Sequence, residues 1–136
     1  MARPGRKSGM LSSAELGEMR KELFRAALAR RTVTYGRLMK RYGLSRGRAL
    51  SEAISSIDEG ERENRAPGFA SIVVRKDTGF PGGGYFVDPG LPAGVARPPR
   101  RGLDPRLSRR EEFYVRAQQR KVWEFYSKGA RTPATT

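Results

Sequence analysis

The run from Thr34 to Ile57, TYGRLMKRYGLSRGRALSEAISSI, constrains this chain most, because it contains two short amphipathic helices and the glycine that separates them. Leu38, Met39 and Tyr42 recur at helical spacing, and Leu50, Ala53, Ile54 and Ile57 form a second apolar stripe. Thr34 is placed to cap a helix over residues 35–41. Gly43 suits the left-handed residue that ends it, and Ser45 is placed to cap a helix over 46–58. Two helices joined by a glycine-containing turn, the second amphipathic and basic at its start, predict a helix-turn-helix.

Charge gives this motif a direction. Between Leu23 and Ser51 there is no Asp or Glu, whereas Arg25, Arg30, Arg31, Arg37, Lys40, Arg41, Arg46 and Arg48 all fall there. A solvated face ordinarily mixes both signs. The whole chain of 136 residues carries 28 Lys and Arg against 14 Asp and Glu, a net charge of +14. Such self-repulsion is explained by an anionic partner, and nucleic acid is the commonest. Ser45, Arg46, Arg48 and Ser51 stand at the exposed start of the third helix as groove- or phosphate-contacting groups. Arg37, Lys40 and Arg41 on the second helix, with Arg75 and Lys76 further on, are expected to hold phosphates.

The rest of the chain fits one domain. Residues 1–11 read as a flexible basic arm. Ser12-Ser13-Ala14-Glu15 is a capping box that opens a first helix to about Arg30, with Leu16, Met19, Leu23, Phe24, Ala27 and Leu28 at helical spacing. Asp58 to Asn64 reads as a helix end and acidic loop. Phe69 to Arg75 is β-prone; Gly79-Phe80-Pro81-Gly82-Gly83-Gly84 and a second strand, Tyr85-Phe86-Val87, complete a β-hairpin wing. The expected winged helix-turn-helix domain spans 12–88. A Pro/Arg-rich connector with Arg97, Arg100, Arg101 and Arg106 covers 89–107. Ser108-Arg109-Arg110-Glu111 repeats the capping box and opens a C-terminal helix over 108–128, which docks Tyr114, Ala117, Val122, Trp123 and Phe125 on the core; 129–136 reads as a disordered tail.

Composition also removes chemistries. The chain has neither cysteine nor histidine, so disulfides, thiol nucleophiles, Cys/His zinc sites and the usual general base are excluded. GFPGGG is not a phosphate loop, since Tyr85 follows where Lys-Ser/Thr and a helix are required. Carboxylates cluster only at 58–63 and at Glu111-Glu112, both explained by helix ends, and no metal-ligand spacing occurs. No long apolar run, secretory signal or lipidation site is present. The expectation is a cytoplasmic, non-enzymatic protein without cofactor, metal, membrane or small-molecule substrate.

Val33-Thr34-Tyr35-Gly36-Arg37-Leu38, Arg48-Ala49-Leu50-Ser51-Glu52-Ala53, Val73-Val74 and the glycines up to Tyr85 together resemble the winged-helix DNA-binding domain of O6-alkylguanine-DNA alkyltransferases and alkyltransferase-like proteins. The likeness covers roughly residues 32–87. It implies an α+β winged helix-turn-helix in which Arg48 enters the DNA minor groove and Tyr35 helps to rotate a phosphate. The family's Pro-Cys-His-Arg active site falls near Phe69-Ala70-Ser71-Ile72 and is not retained, so alkyl transfer is excluded for want of a thiolate. The segment from Asp58 to Gly68 is also longer than the family's loop. The Val-Val-x-Lys-x-Thr-Gly hairpin and aromatic last helix are similar to small uncharacterised bacterial and phage proteins, a likeness that carries no function. The expected partner is therefore double-stranded DNA. Alternatives are duplex RNA, or a protein docking on the acidic 58–63 loop and the aromatic last helix, in the manner of a phage-type inhibitor of a host enzyme.

Overall fold

A computed structural model describes residues 10–87, 90–97 and 106–129. Most of the basic arm, Arg100 and Arg101 of the connector, and the tail from 130 lie outside the described residues. Helix α1 spans Ser13–Leu28, β1 Val33–Thr34, α2 Tyr35–Tyr42, α3 Gly47–Glu63, β2 Val73–Val74 and α4 Arg109–Glu124. A π-helical turn, Phe125–Gly129, extends α4.

Both capping boxes form. The Ser12 hydroxyl accepts from the Glu15 amide while Glu15 accepts from the Ser12 amide, and Ser108 and Glu111 do the same for α4. Thr34 caps α2 by accepting from the Arg37 amide at 3.3 Å. At its other end Gly43 adopts φ 66°, and the Leu44 amide returns to the Met39 carbonyl at 2.9 Å. This left-handed closure satisfies carbonyls that a continuing helix would have used. Ser45, however, does not cap α3; Arg46 holds that position without a side-chain bond.

The third helix is longer than its sequence suggests. It continues to Glu63, so residues 58–63 are not an acidic loop. Asp58 and Glu61 extend the buried stripe of Leu50, Ala53, Ile54 and Ile57 instead of facing water.

The sheet departs further from expectation. Val33 pairs with Val73 and Thr34 with Val74 in a two-stranded parallel sheet. Ala70–Ile72, read as the start of a strand, is a 3-10 turn, and so is Gly83–Val87. No hairpin occurs among the described residues. Two backbone bonds, from the Arg75 amide to the Phe80 carbonyl and from the Gly79 amide to the Arg75 carbonyl, both at 2.9 Å, close the 75–80 turn. Pro81 has no N–H to donate, the glycines favour tight turning, and the Tyr85 amide bonds back to the Gly82 carbonyl at 3.0 Å. Phe86 is fully buried and Tyr85 packs beside the same cluster, so the two-residue alternation of a strand is absent.

Two apolar clusters result. The larger joins Met19 and Leu23 of α1, Leu38 and Tyr42 of α2, the α3 stripe, Phe69, Ile72 and Val73, and takes Val122 and Tyr126 from the C-terminal segment. The smaller is built on Phe86, Val95 and Val115. Since Val115 and Val122 lie about two turns apart on one face of α4, the same helix seals both. No helix among the described residues is long and apolar enough to cross a membrane.

Candidate nucleic-acid interface

The core takes the apolar faces of the α2–Gly43–α3 unit together with Leu44 of the link, and leaves the end of the link and the start of α3 outward. Ser45, Arg46, Gly47, Arg48 and Ser51 are all exposed. The Arg48 side chain is 88% exposed, and its one ionic neighbour among the described residues is Glu52, a turn along α3, at 3.5 Å. Both groups being in water, the pair is weak and free to open. Lys40 and Lys76 are exposed as well. These side chains form the part of the expected site that projects freely.

The other predicted cations are engaged. Glu22, buried on α1, accepts from Arg37 Nε at 2.8 Å through one oxygen and from Arg41 Nη1 at 2.6 Å through the other. That hydrogen bond raises the Arg37 pKa above its already high value. Arg75 grips Asp77 through Nε at 2.9 Å and Nη2 at 2.6 Å, which draws the Asp77 carboxyl below its usual range. Tyr35 serves a structural bond: its hydroxyl accepts from the Gly82 amide at 2.9 Å and so ties the start of α2 to the glycine run. Burial raises its pKa.

Sequence reasoning missed the buried carboxylates. Asp58 accepts from the Phe69 amide at 2.6 Å and the Ala70 amide at 3.2 Å, clamping α3 to the turn before β2. Burial pushes its carboxyl up to about 6 against the pull of those two amides. Burial also pushes Glu61 up, but hydrogen bonds from Arg20 and Tyr126 outweigh it and leave the carboxyl lowered. Arg20 grips Glu61 at 2.8 and 3.1 Å; the Tyr126 hydroxyl lies 2.7 Å from Glu61 Oε1 and 2.7 Å from the Pro67 carbonyl. The signal was present: Glu22 shares a face with Met19, Leu23 and Ala26, and Asp58 and Glu61 follow Ile54 and Ile57 by one turn.

A cavity of about 430 Å³ lies beside Asp58, lined also by Ser55, Arg62, Ser71, Tyr85 and Gln118. It offers no activated nucleophile among the described residues. Ser71 Oγ has no hydrogen-bond partner, and both Asp58 oxygens are occupied by backbone amides. No group of His, Cys, Asp or Glu among the described residues is arranged to hold a metal.

Compared with known proteins, the chain matches no family model, no curated protein and no solved structure. The functional reading therefore rests on the arrangement of its own residues.

Proposed function

We propose that this protein binds double-stranded DNA without catalysing a reaction, and that α2 and α3 act as the two helices of a helix-turn-helix. The observation that carries this reading is the mouth of α3, where Ser45, Arg46, Arg48 and Ser51 project into solvent above a fully packed apolar stripe. A rigid helix start rich in guanidinium and hydroxyl donors suits phosphate and groove-edge acceptors. Lys40 of α2 and Lys76 of the 75–80 turn are further exposed cations. Arg37 and Arg41 are shared with Glu22, and Arg75 with Asp77, so these three contribute less than their formal charge. The resemblance to the alkyltransferase DNA-binding domain points to the same residue, Arg48, as the group that enters the groove. The winged form of the domain belongs to this proposal, with the 75–80 turn carrying Arg75 and Lys76 as a minimal wing.

The acidic stretch and aromatic helix invoked for a protein partner are a less suitable surface, because Asp58, Glu61 and Tyr126 point into the core.

The test is duplex binding by fluorescence anisotropy across roughly 50–200 mM salt. With about four phosphates neutralised by Lys40, Arg46, Arg48 and Lys76, log K falls against log salt with a slope of about −3 to −4. Arg48→Ala weakens binding by about 1–3 kcal/mol, unequally across sequences, if the side chain meets a base edge. Retention that is absent, or indifferent to salt, refutes the proposal; tighter binding to duplex RNA redirects it.

A further inference from the structure

The outer face of α4 is a second charged surface that the helix-turn-helix does not use. Arg109, Phe113, Arg116 and Arg120 recur at spacings of four, three and four and so stand in one line along the helix. All four are exposed. Phe113 is 73% exposed, the largest exposure of any big hydrophobic residue described. Arg110, although exposed, lies against Gly94 of the 90–97 segment. Of the carboxylates on α4, Glu111 is buried and held by Arg97, and among the described residues neither Glu112 nor Glu124 forms an ion pair with these arginines.

This pattern is not what packing or solubility asks of a surface helix. The core is sealed by the opposite side of α4, through Val115, Gln119 and Val122, so Phe113 contributes nothing to it. A solvated face gains nothing from an aromatic ring in water, and here the ring stands among cations with Glu112 and Glu124 toward its margins. Arginines that track a backbone, with an aromatic ring set between them, are the composition that single-stranded nucleic acid uses: phosphates meet the guanidiniums while a base lies on the ring. A duplex, with its bases already stacked, has no use for the ring. Arg109 to Arg120 spans about 16 Å along the helix, enough for a few nucleotides. Arg116 also sits over the Phe80 ring, 5.1 Å from its centroid. This contact ties the stripe to the 75–80 turn.

We infer that the Arg109–Phe113–Arg116–Arg120 face of α4 binds single-stranded nucleic acid, with a base stacked on Phe113. The inference shares with the proposed function only the class of partner. It does not need α3 to touch DNA.

The experiment measures the full chain and its variants against two labelled probes, an oligothymidylate and a duplex. Phe113→Ala is expected to weaken oligothymidylate binding by about fivefold to a hundredfold, the range for loss of one stacked base, while leaving duplex binding unchanged. Phe113→Trp is expected to restore it. Arg48→Ala is expected to show the reverse selectivity. Circular dichroism checks that the exposed-site variants keep the fold. Unchanged oligothymidylate binding by Phe113→Ala overturns the inference, as does an equal loss on both probes or no oligothymidylate binding by the wild type. Oligothymidylate binding that persists where no duplex binding is found refutes the α3 proposal and leaves this one standing.

Discussion

Asp58 shows how one side chain settles where a helix stops being surface. Its carboxylate replaces water with two backbone amides, from Phe69 and Ala70, where α3 meets that turn. Burial outweighs the amides and lifts its pKa from 3.8 to about 6. Between about pH 4 and pH 6 the folded chain therefore keeps a proton that the unfolded chain releases. Stability contributed by this group is complete below that window and falls as pH rises through it, by about 3 kcal/mol in total. Glu61, Glu111 and Asp77 act in the opposite sense and lower down, since their carboxyls are depressed and lose stability as acid protonates them. Denaturation of wild type and Asp58→Asn at pH 4, 5, 6 and 7 separates the two. The difference between the proteins is expected to change across pH 4–6 and be flat above it; a constant difference would show that Asp58 does not titrate there. Gly68 explains why the clamp has no alternative neighbour. A Cβ at that position meets the Asp58 carboxylate, so only glycine lets the chain pass.

At the scale of elements, helix ends carry the lesson. Gly43 announces the end of α2, but α1 and α3 close in the same left-handed way with Arg30 at φ 55° and Arg65 at φ 60°. The Arg31 amide reaches the Ala26 carbonyl at 2.8 Å, and the Ala66 amide reaches that of Glu61 at 2.9 Å. A non-glycine residue pays a steric cost there of about 1 kcal/mol, which the surrounding packing sustains. No residue type signals such an ending, which is why α3 reads shorter in sequence than it is. Glu22 fastens α1 to α2, since its two oxygens each hold one arginine of α2. Glu22→Gln is expected to destabilise the fold by only about 1 kcal/mol, because the Arg37 and Arg41 side chains are 69% and 42% exposed and stay solvated without the pair. The same change releases two cations towards the proposed DNA face. The salt slope for duplex binding should then steepen by about 1 to 2. An unchanged slope would place Arg37 and Arg41 outside the interface.

For the whole molecule, the question is what joins two apolar clusters into one unit. Helix α4 spans both, and the 90–97 segment is fastened to it by Arg97. Its guanidinium meets Glu111 at 2.6 and 2.8 Å, each side chain only 9% exposed, and also reaches the Arg106 carbonyl at 2.6 Å. It lies over the Phe86 ring as well, 4.7 Å from the centroid. Removing Arg97 strands a buried carboxylate. Arg97→Ala should cost about 3–5 kcal/mol in urea denaturation, with part of the loss recovered in combination with Glu111→Gln. Absence of that recovery would assign the loss to packing on Phe86 instead. At the other end of α4, Tyr126 stacks on Phe69 at 4.7 Å and bonds Glu61, so the C-terminal segment completes the main core as well.

Local chemistry determined the capped helix starts at Ser12, Thr34 and Ser108, the glycine turn at Gly43 and the inward stripe of α3. Each depends on neighbours within one helical turn, and those neighbours are written consecutively in the chain. Only tertiary structure decided that Val33-Thr34 pairs in parallel with Val73-Val74, that Tyr85-Phe86-Val87 curls instead of extending, and that the carboxylates of Glu22, Asp58 and Glu61 turn inward. Two-residue strands have no period to read. A buried carboxylate is stable only when a partner fifteen, eleven or forty-one residues away arrives with its donor, and that meeting is made by the fold.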